Sequence, residues 1–326
     1  MQNTYRSAAD LMATRIQLST PLHTMLDAVA KAGETAVQNF GKSPEELGVV
    51  LKGDQSILTL TDTAIQDFLI DRFTNTLGKR FVDFAVLAEE ERKEAPQANP
   101  RYVMIVDPLD GTRNFKSGNP TFAIAAELTT NNQGLLKGNL TVVLQPMLDL
   151  YTVATPAGSF QIDRANQTIE KLSAKADTNN KIISLIGDSK RDEEDKQVVA
   201  EIIQRLKDQG FQVERIGSCV LSTAGVATKK FRGSVIYSGV GNYAHPWDIA
   251  SVDLITRSGG IVTTISGEPD PLNNDPHSMI GAYDEETHTT LLETVRAARE
   301  AVGAIPLPDR RLLKSQPQLC TADSVG

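Results

Sequence analysis

The apolar run Tyr102-Val103-Met104-Ile105-Val106 leads into Asp107-Pro108-Leu109-Asp110-Gly111-Thr112, with Arg113-Asn114-Phe115 behind it. A run of this kind reads as a buried strand, and Pro108 and Gly111 are turn-forcing residues. The expectation is a strand that stops on two carboxylates, Asp107 and Asp110, and turns both acids and a bare backbone into one cleft. Carboxylate oxygens suit Mg²⁺ or Mn²⁺, and Gly111 lets backbone N–H groups approach an anion closely. Taken alone, the hexapeptide reads first as an acidic turn at a sheet edge. A site for a cation and a phosphate needs further acids and a second anion-binding loop.

The chain before the hexapeptide supplies the first of these. Residues 22–40 place Leu22, Met25, Leu26, Val29, Gly33, Ala36, Val37 and Phe40 at helical spacing, and Gly41 closes the segment. A polar stretch from Lys52 to Asp62 then enters a helix carrying Ile65, Phe68, Leu69, Phe73 and Leu77, for which Thr61 or Asp62 is an ordinary N-cap. Residues 81–88 are apolar and strand-like and end in Glu89-Glu90-Glu91. A triple-Glu run is usually a solvated face, but here it comes straight off a buried strand, as Asp107 does.

After Phe115 the segments 121–128, 135–144 and 150–154 read as a meander of antiparallel strands, and residues 164–180 read as a polar connection. Strand patterns at 181–186, 213–216 and 234–237 then alternate with helical ones, which argues for an α/β layer following an α+β half. The helix from Cys219 starts after Gly217-Ser218, a helix cap or an anion-binding turn. Pro246-Trp247-Asp248 opens another helix, with Asp248 as a cap or a site acid. The expected division is an N-terminal arm over 1–21, an α+β domain carrying the metal site over 22–177, an α/β domain over 178–304 and a tail over 305–326.

Composition limits the partners. Across 326 residues the formal net charge is −8, so nucleic acid polymers and anionic lipid gain no support. A small phosphorylated metabolite remains open, because bound cations reverse the sign of a local site. Cys219 and Cys320 lie far apart without metal-ligand spacing, and no membrane span or signal-peptide stretch is read, so a cytoplasmic protein is expected.

In this order the motifs resemble those of the inositol monophosphatase superfamily, a group of metal-dependent, lithium-sensitive phosphomonoesterases. Glu89-Glu90 stands for the family's Gly-Glu-Glu, residues 107–112 for its Asp-Pro-Ile/Leu-Asp-Gly-Thr, and Trp247-Asp248-x-Ala250 for its Trp-Asp-x-Ala. The spacing of Lys52, Asp54, Ser56, Thr59 and Asp62 resembles the version found in adenosine bisphosphate phosphatases. The resemblance implies a layered αβαβα sandwich shared with sugar phosphatases, Mg²⁺ at two or three positions (Mn²⁺ serving equally), and a homodimer. It implies that Glu89, Asp107 and the Leu109 carbonyl hold one metal. Asp107, Asp110 and Asp248 would hold a second, and Glu89 a weaker third. Asp62, Thr112 and Glu89 form the implied catalytic set around a metal-bound water. Asp110, Gly111, Thr112, Gly217, Ser218 and Asp248 form the implied substrate-binding set.

Three features depart from the pattern or stay open. Ala88 replaces the usual Gly, and three successive glutamates leave Glu89 or Glu90 as the ligand. Residues 239–243 stand where inositol-specific members carry an acidic residue, which points away from inositol phosphate itself. His245 reads as a supporting neighbour of the site, because hard cations prefer oxygen donors.

Overall fold

The computed structural model describes residues 6–52, 57–90, 99–174, 179–187, 193–238, 245–273 and 278–304. Asp54, Ser56, Glu91, the loops 188–190 and 239–244, Cys320 and the tail from 305 lie outside the described residues.

Helix α1 (Ala8–Ala13) and helix α2 (Thr20–Asn39) open the described chain. Ser19 caps α2, and Gly41, at φ 81°, follows its end. Short strands β1 (Val50–Leu51) and β2 (Ile57–Leu58) pair antiparallel ahead of helix α3 (Leu60–Phe73). A seven-stranded sheet comes next, built from β3 (Phe84–Ala88), β4 (Tyr102–Asp110), β5 (Ala123–Asn132), β6 (Leu135–Gln145), β7 (Leu150–Thr155), β8 (Gly158–Asp163) and β9 (Thr168–Lys171) in spatial order, with the short helix α4 (Thr112–Lys116) after β4. Only β3 and β4 are parallel; the rest is an antiparallel meander.

The second half contains β10 (Ile182–Gly187), α5 (Glu193–Asp208), β11 (Gln212–Glu214), α6 (Cys219–Ala227), β12 (Gly233–Tyr237), α7 (Val252–Ser258), β13 (Ile261–Thr264), β14 (Met279–Ala282) and α8 (Glu285–Val302). Its five strands lie in the order β11-β10-β12-β14-β13. The first three are parallel, and β14 runs antiparallel to both its neighbours.

Strand alternation shows how the layers stack. On β4, Met104 and Val106 pack with α1, α2 and α3, whereas Val103 and Ile105 pack against Val226, Ile249 and Ile255 from the middle of the molecule. On the second sheet Ile183, Leu185, Val235 and Ile280 turn outward to α5 and α8. Ile236 and Met279 turn inward to the middle layer. The result is a five-layer α–β–α–β–α sandwich with α6 and α7 between the two sheets.

Sequence reading passed over β1, β2, β8, β9, β13 and β14; β1 and β2 are two residues each, and β8 extends the meander past the three strands read there. β9 lies at the sheet edge with only Ile169 partly covered, so residues 164–180 look like a polar connection. β13 and β14 are each four residues long, too short for a periodic signal. The hairpin between β5 and β6 is tight, with Asn132 paired to Leu135. Only Gln133 and Gly134 have positive φ, at 54° and 89°, as a two-residue primed turn requires.

Glu127 is a buried acid within this core. Thr141 Oγ1 donates to its Oε1 at 3.4 Å, while Oε2 has no hydrogen-bond partner among the described residues. Across from it, Arg257 Nε donates to Asp253 Oδ2 at 3.0 Å. A side chain at Gly138 would start 2.3 Å from Glu127 Oε1 and 2.6 Å from Asp253 Oδ2, so the two carboxyl groups converge over that glycine. Burial, and then the Asp253 carboxylate, push the Glu127 carboxyl well above its ordinary value of 4.5. A raised folded-state value stabilises the neutral form, so this contribution is full below about pH 4.5 and is lost as pH rises toward the folded-state value. Glu127→Gln should therefore exceed the wild type in stability at pH 8 by about 1–3 kcal/mol, with the gap closing toward pH 5. Urea unfolding at the two pH values checks this, and a gap that does not change with pH would sink it.

Candidate active site

Pro108 has no N–H to give the ladder, and β4 does not stop there as the sequence suggests. It continues to Asp110 through a bulge: Asp107 pairs with Ala125 and Asp110 with Ala123, so three steps on β4 oppose two on β5. In a regular strand, residues three apart point to opposite faces. The extra residue puts Asp107 and Asp110 on the same face, opposite alanines that leave room for them. Gly111 then turns the chain at φ 89°, where a Cβ would lie 3.0 Å from the Thr121 carbonyl oxygen and 3.3 Å from Phe122 Cα.

The other acids arrive on the ends of neighbouring elements. Asp62 is the third residue of α3 and closes a capping box: its Oδ2 accepts from Thr59 N at 2.9 Å and from the Thr59 hydroxyl. Its Oδ1 is left for Thr112, whose Oγ1 stands 3.0 Å from Asp62 Oδ1 and 3.0 Å from the Leu109 carbonyl oxygen. The single hydroxyl proton can be given to either. Glu89 follows β3, with Lys52 Nζ 3.4 Å from its Oε1 and 2.6 Å from Glu90 Oε1. Asp248 sits in a 3₁₀ turn (Pro246–Ile249), where its Oδ2 accepts from His245 N at 2.7 Å. The His245 ring caps the Asp248 N–H and stacks on Trp247 at 4.6 Å between centroids.

At the start of α6, Ser218 is the N-cap that the sequence offers as one reading, and the same turn binds an acid. Its donors go to Asp110: Cys219 N at 3.0 Å to Oδ1, Val220 N at 3.1 Å to Oδ2, and the Ser218 hydroxyl to Oδ2. Ser218 Oγ also accepts from Leu221 N at 3.1 Å. Ser218 and the first two N–H groups of α6 thus hold the side chain of a site acid.

Electrostatics show that these carboxyl groups share one space. Burial raises Asp62 to about 6, against the hydrogen bonds from Thr59 and Thr112. Burial raises Glu89 to about 8, with Lys52 opposing and the Glu90, Asp248 and Asp62 carboxylates adding. Asp110 rises to about 7 through burial, against the Ser218 hydrogen bond. Asp107 is pushed well above the carboxylate range by burial, then by Glu89, Asp110 and Asp248. Among the described residues no three such side chains already stand as a formed metal-binding group. The donor chemistry nonetheless fits a hard dication: Glu89, Asp107, Asp110, Asp248 and the Leu109 carbonyl offer oxygen only, and buried like charges call for a counter-charge.

The sequence profile described as the inositol monophosphatase family matches residues 18–300. The chain belongs to the inositol monophosphatase family. Membership makes it a phosphoric monoester hydrolase. It is 29% identical to the inositol-1-monophosphatase of Mesorhizobium japonicum, over 85% of this chain and 97% of that protein. It is 26% identical to a protein of Aquifex aeolicus named fructose-1,6-bisphosphatase/inositol-1-monophosphatase, over 74% of this chain and 84% of that one. The crystal structure of the extragenic suppressor protein suhB from Bartonella henselae shares the fold at a TM-score of 0.71 and 23% identity, covering 85% of this chain and 99% of the other. The five-layer sandwich is therefore the fold of inositol monophosphatase family members.

Asn114 was not singled out in the sequence. Its Nδ2 donates to the Thr121 carbonyl at 2.6 Å and to the Ile216 carbonyl at 2.8 Å. It thereby ties the turn after Asp110 to the loop before α6. The signal was present in Asn114 standing two residues after Gly111-Thr112, but its partner lies 102 residues away. Asn114→Ala leaves both carbonyls without this donor and should cost about 1–3 kcal/mol by urea unfolding. It should also lower turnover, since the loop that carries Ser218 to Asp110 loses its tie to the turn after β4. A variant as stable and as active as the wild type would contradict this.

Proposed function

We propose that the chain hydrolyses a phosphomonoester of a small polyol, sugar or nucleotide in a Mg²⁺-dependent reaction, by direct attack of water. The observation that carries this reading is the Thr112–Asp62 hydrogen bond, placed beside the bulge that turns Asp107 and Asp110 to one face. Glu89, Asp107 and the Leu109 carbonyl would hold one Mg²⁺. Asp107, Asp110 and Asp248 would hold a second, with Glu89 serving a third; Mn²⁺ suits the same oxygens. When bound, such cations neutralise the phosphate and lower the pKa of water.

The chain's own residues do the rest. Thr112 Oγ1 orients the attacking water, and Asp62, lifted by burial to about 6, takes its proton near neutral pH. Glu89 helps hold that water. The phosphate rests on the N–H groups of Gly111 and Thr112, at the start of α4. Gly217 and Ser218 contribute by fixing Asp110, which with Asp248 faces the substrate. In this reading residues 22–177 carry the metal site and residues 178–304 complete it, with 1–21 an arm and 305–326 a tail.

The same reading makes the protein a lithium-sensitive, cytoplasmic homodimer acting on small molecules, with neither nucleic acid polymer nor membrane as partner. The net charge of −8 speaks against anionic polymers and anionic lipid as partners, and among the described residues no helix is long and apolar enough to cross a membrane. Adenosine 3′,5′-bisphosphate is the second candidate substrate, favoured by the Lys52 to Asp62 spacing. Histidinol phosphate and fructose 1,6-bisphosphate complete the panel.

Phosphate release from inositol phosphate and these three, with Mg²⁺ present, with chelator, and with Li⁺, is the test. One substrate should respond to Mg²⁺ and be inhibited by Li⁺. Asp62→Asn should lower kcat by about 10²–10⁴-fold with the fold retained. If no member of the panel is turned over while Mg²⁺ still raises the melting temperature, a catalytically silent metabolite- or protein-binding regulator becomes the better account.

A further inference from the structure

Glu89 and Glu90 lie just beyond the last ladder pair of β3, Ala88 with Val106, so the sheet does not by itself fix which glutamate faces the acid cluster. Gln66 does. It stands one helical turn past Asp62 on α3 and is 2% exposed. Its Nε2 donates to the Glu90 carbonyl at 2.5 Å, and its Oε1 accepts from Glu90 N at 2.8 Å. The amide thus takes both main-chain groups of one residue, as a neighbouring strand would. The Glu90 carboxylate meanwhile goes to Lys52 Nζ at 2.6 Å. Glu89 is bracketed between the ladder at Ala88 and the Gln66 clamp at Glu90, and its charge is felt by Asp107.

We propose that Gln66 is a positioning residue of the site: its two-point clamp on Glu90 turns Glu89 to the acid cluster and fixes Glu89 relative to Asp62. This inference rests on the reading of Glu89 as a cation ligand. Asp62 and Gln66 are four residues apart, about 6 Å along one rigid helix. At its start α3 is anchored to the hexapeptide through Asp62–Thr112, and one turn later to β3 through Gln66–Glu90. The helix thereby sets the spacing between the group that takes a proton from water and a group that holds the cation. Only a side chain with both a donor and an acceptor serves here; an ionised glutamate would accept from Glu90 N and oppose its carbonyl.

The test is Mn²⁺ binding to the full chain, followed by electron paramagnetic resonance of the free ion without substrate. Gln66→Met keeps the length and loses both bonds. It should weaken Mn²⁺ binding about tenfold, and lower kcat with the substrate KM unchanged. Leu69→Ala, a buried change on the same helix, should lower stability yet bind Mn²⁺ within about twofold of the wild type. Gln66→Asn keeps the amide but falls one methylene short of Glu90; it decides the matter should Gln66→Met not fold, and is expected to match it. Mn²⁺ bound equally by wild type and Gln66 variants, or weakened no more than in Leu69→Ala, overturns the inference alone. A wild-type chain that binds no Mn²⁺ overturns the reading of the site beneath it.

Discussion

Pro108 cannot donate to the β4–β5 ladder, and the strand accommodates it by bulging. That local accommodation reverses the facing of Asp110 relative to a regular strand. Without it Asp107 would look into the middle of the molecule and Asp110 toward α2 and α3, or the reverse. With it, two carboxylates from one strand stand together, both buried, and the surrounding elements are arranged to bear that. Ala123 and Ala125 opposite them are small, Gly111 leaves the strand in a conformation other residues adopt at a cost, and Thr112 is delivered to Asp62.

Burying like charges is unfavourable unless something of the opposite sign faces them. Much of that opposition comes from helix starts, where unpaired N–H groups carry partial positive charge. Asp62 accepts from the Thr59 N–H at the start of α3, Asp110 from two N–H groups at the start of α6, and Asp248 from the His245 N–H at the start of its own turn. Lys52 adds a full charge at the Glu89–Glu90 end. These partners do not finish the task, since Glu89, Asp107 and Asp110 all remain raised. The residual imbalance is of the sign and hardness that an oxygen-loving dication relieves.

Much of this was legible in the sequence, and what was missed follows a pattern. The long amphipathic helix, the meander and the acids at element ends depend on local periodicity or short motifs, so a linear reading finds them. β1, β2, β9, β13 and β14 are short or lie at an edge, and their pairing partners define them; β8, six residues between β7 and β9, was also passed over. The bulge at Pro108 could not be told from a turn, because both use proline and the difference lies in what β5 does opposite. Gln66 and Asn114 have ordinary surroundings in sequence and acquire their roles from backbone groups 24 and 102 residues away. The choice between cap and site acid was a choice the molecule does not make: Asp62 gives one oxygen to the helix and the other to Thr112.

Asp110 carries this furthest. A helix cap is ordinarily drawn from the residues just before the helix, so it forms as the helix forms. Ser218 caps α6 in that way, and two further N–H groups of its first turn are satisfied by a carboxylate from the first sheet, with Ser218 and Asp110 separated by 108 residues. Asn114 fastens the same junction from the other side, through the Ile216 carbonyl. The Cys219 and Val220 N–H groups therefore find their acceptor only across the packing of the first sheet on the middle layer, and Asp110 finds these donors only there. The pairing of Asp110 and the packing of α6 on the first sheet thus depend on each other. A change that loosens the junction at Gly217 should then reach Asp110 before it reaches the apolar layers beneath α2 or α8.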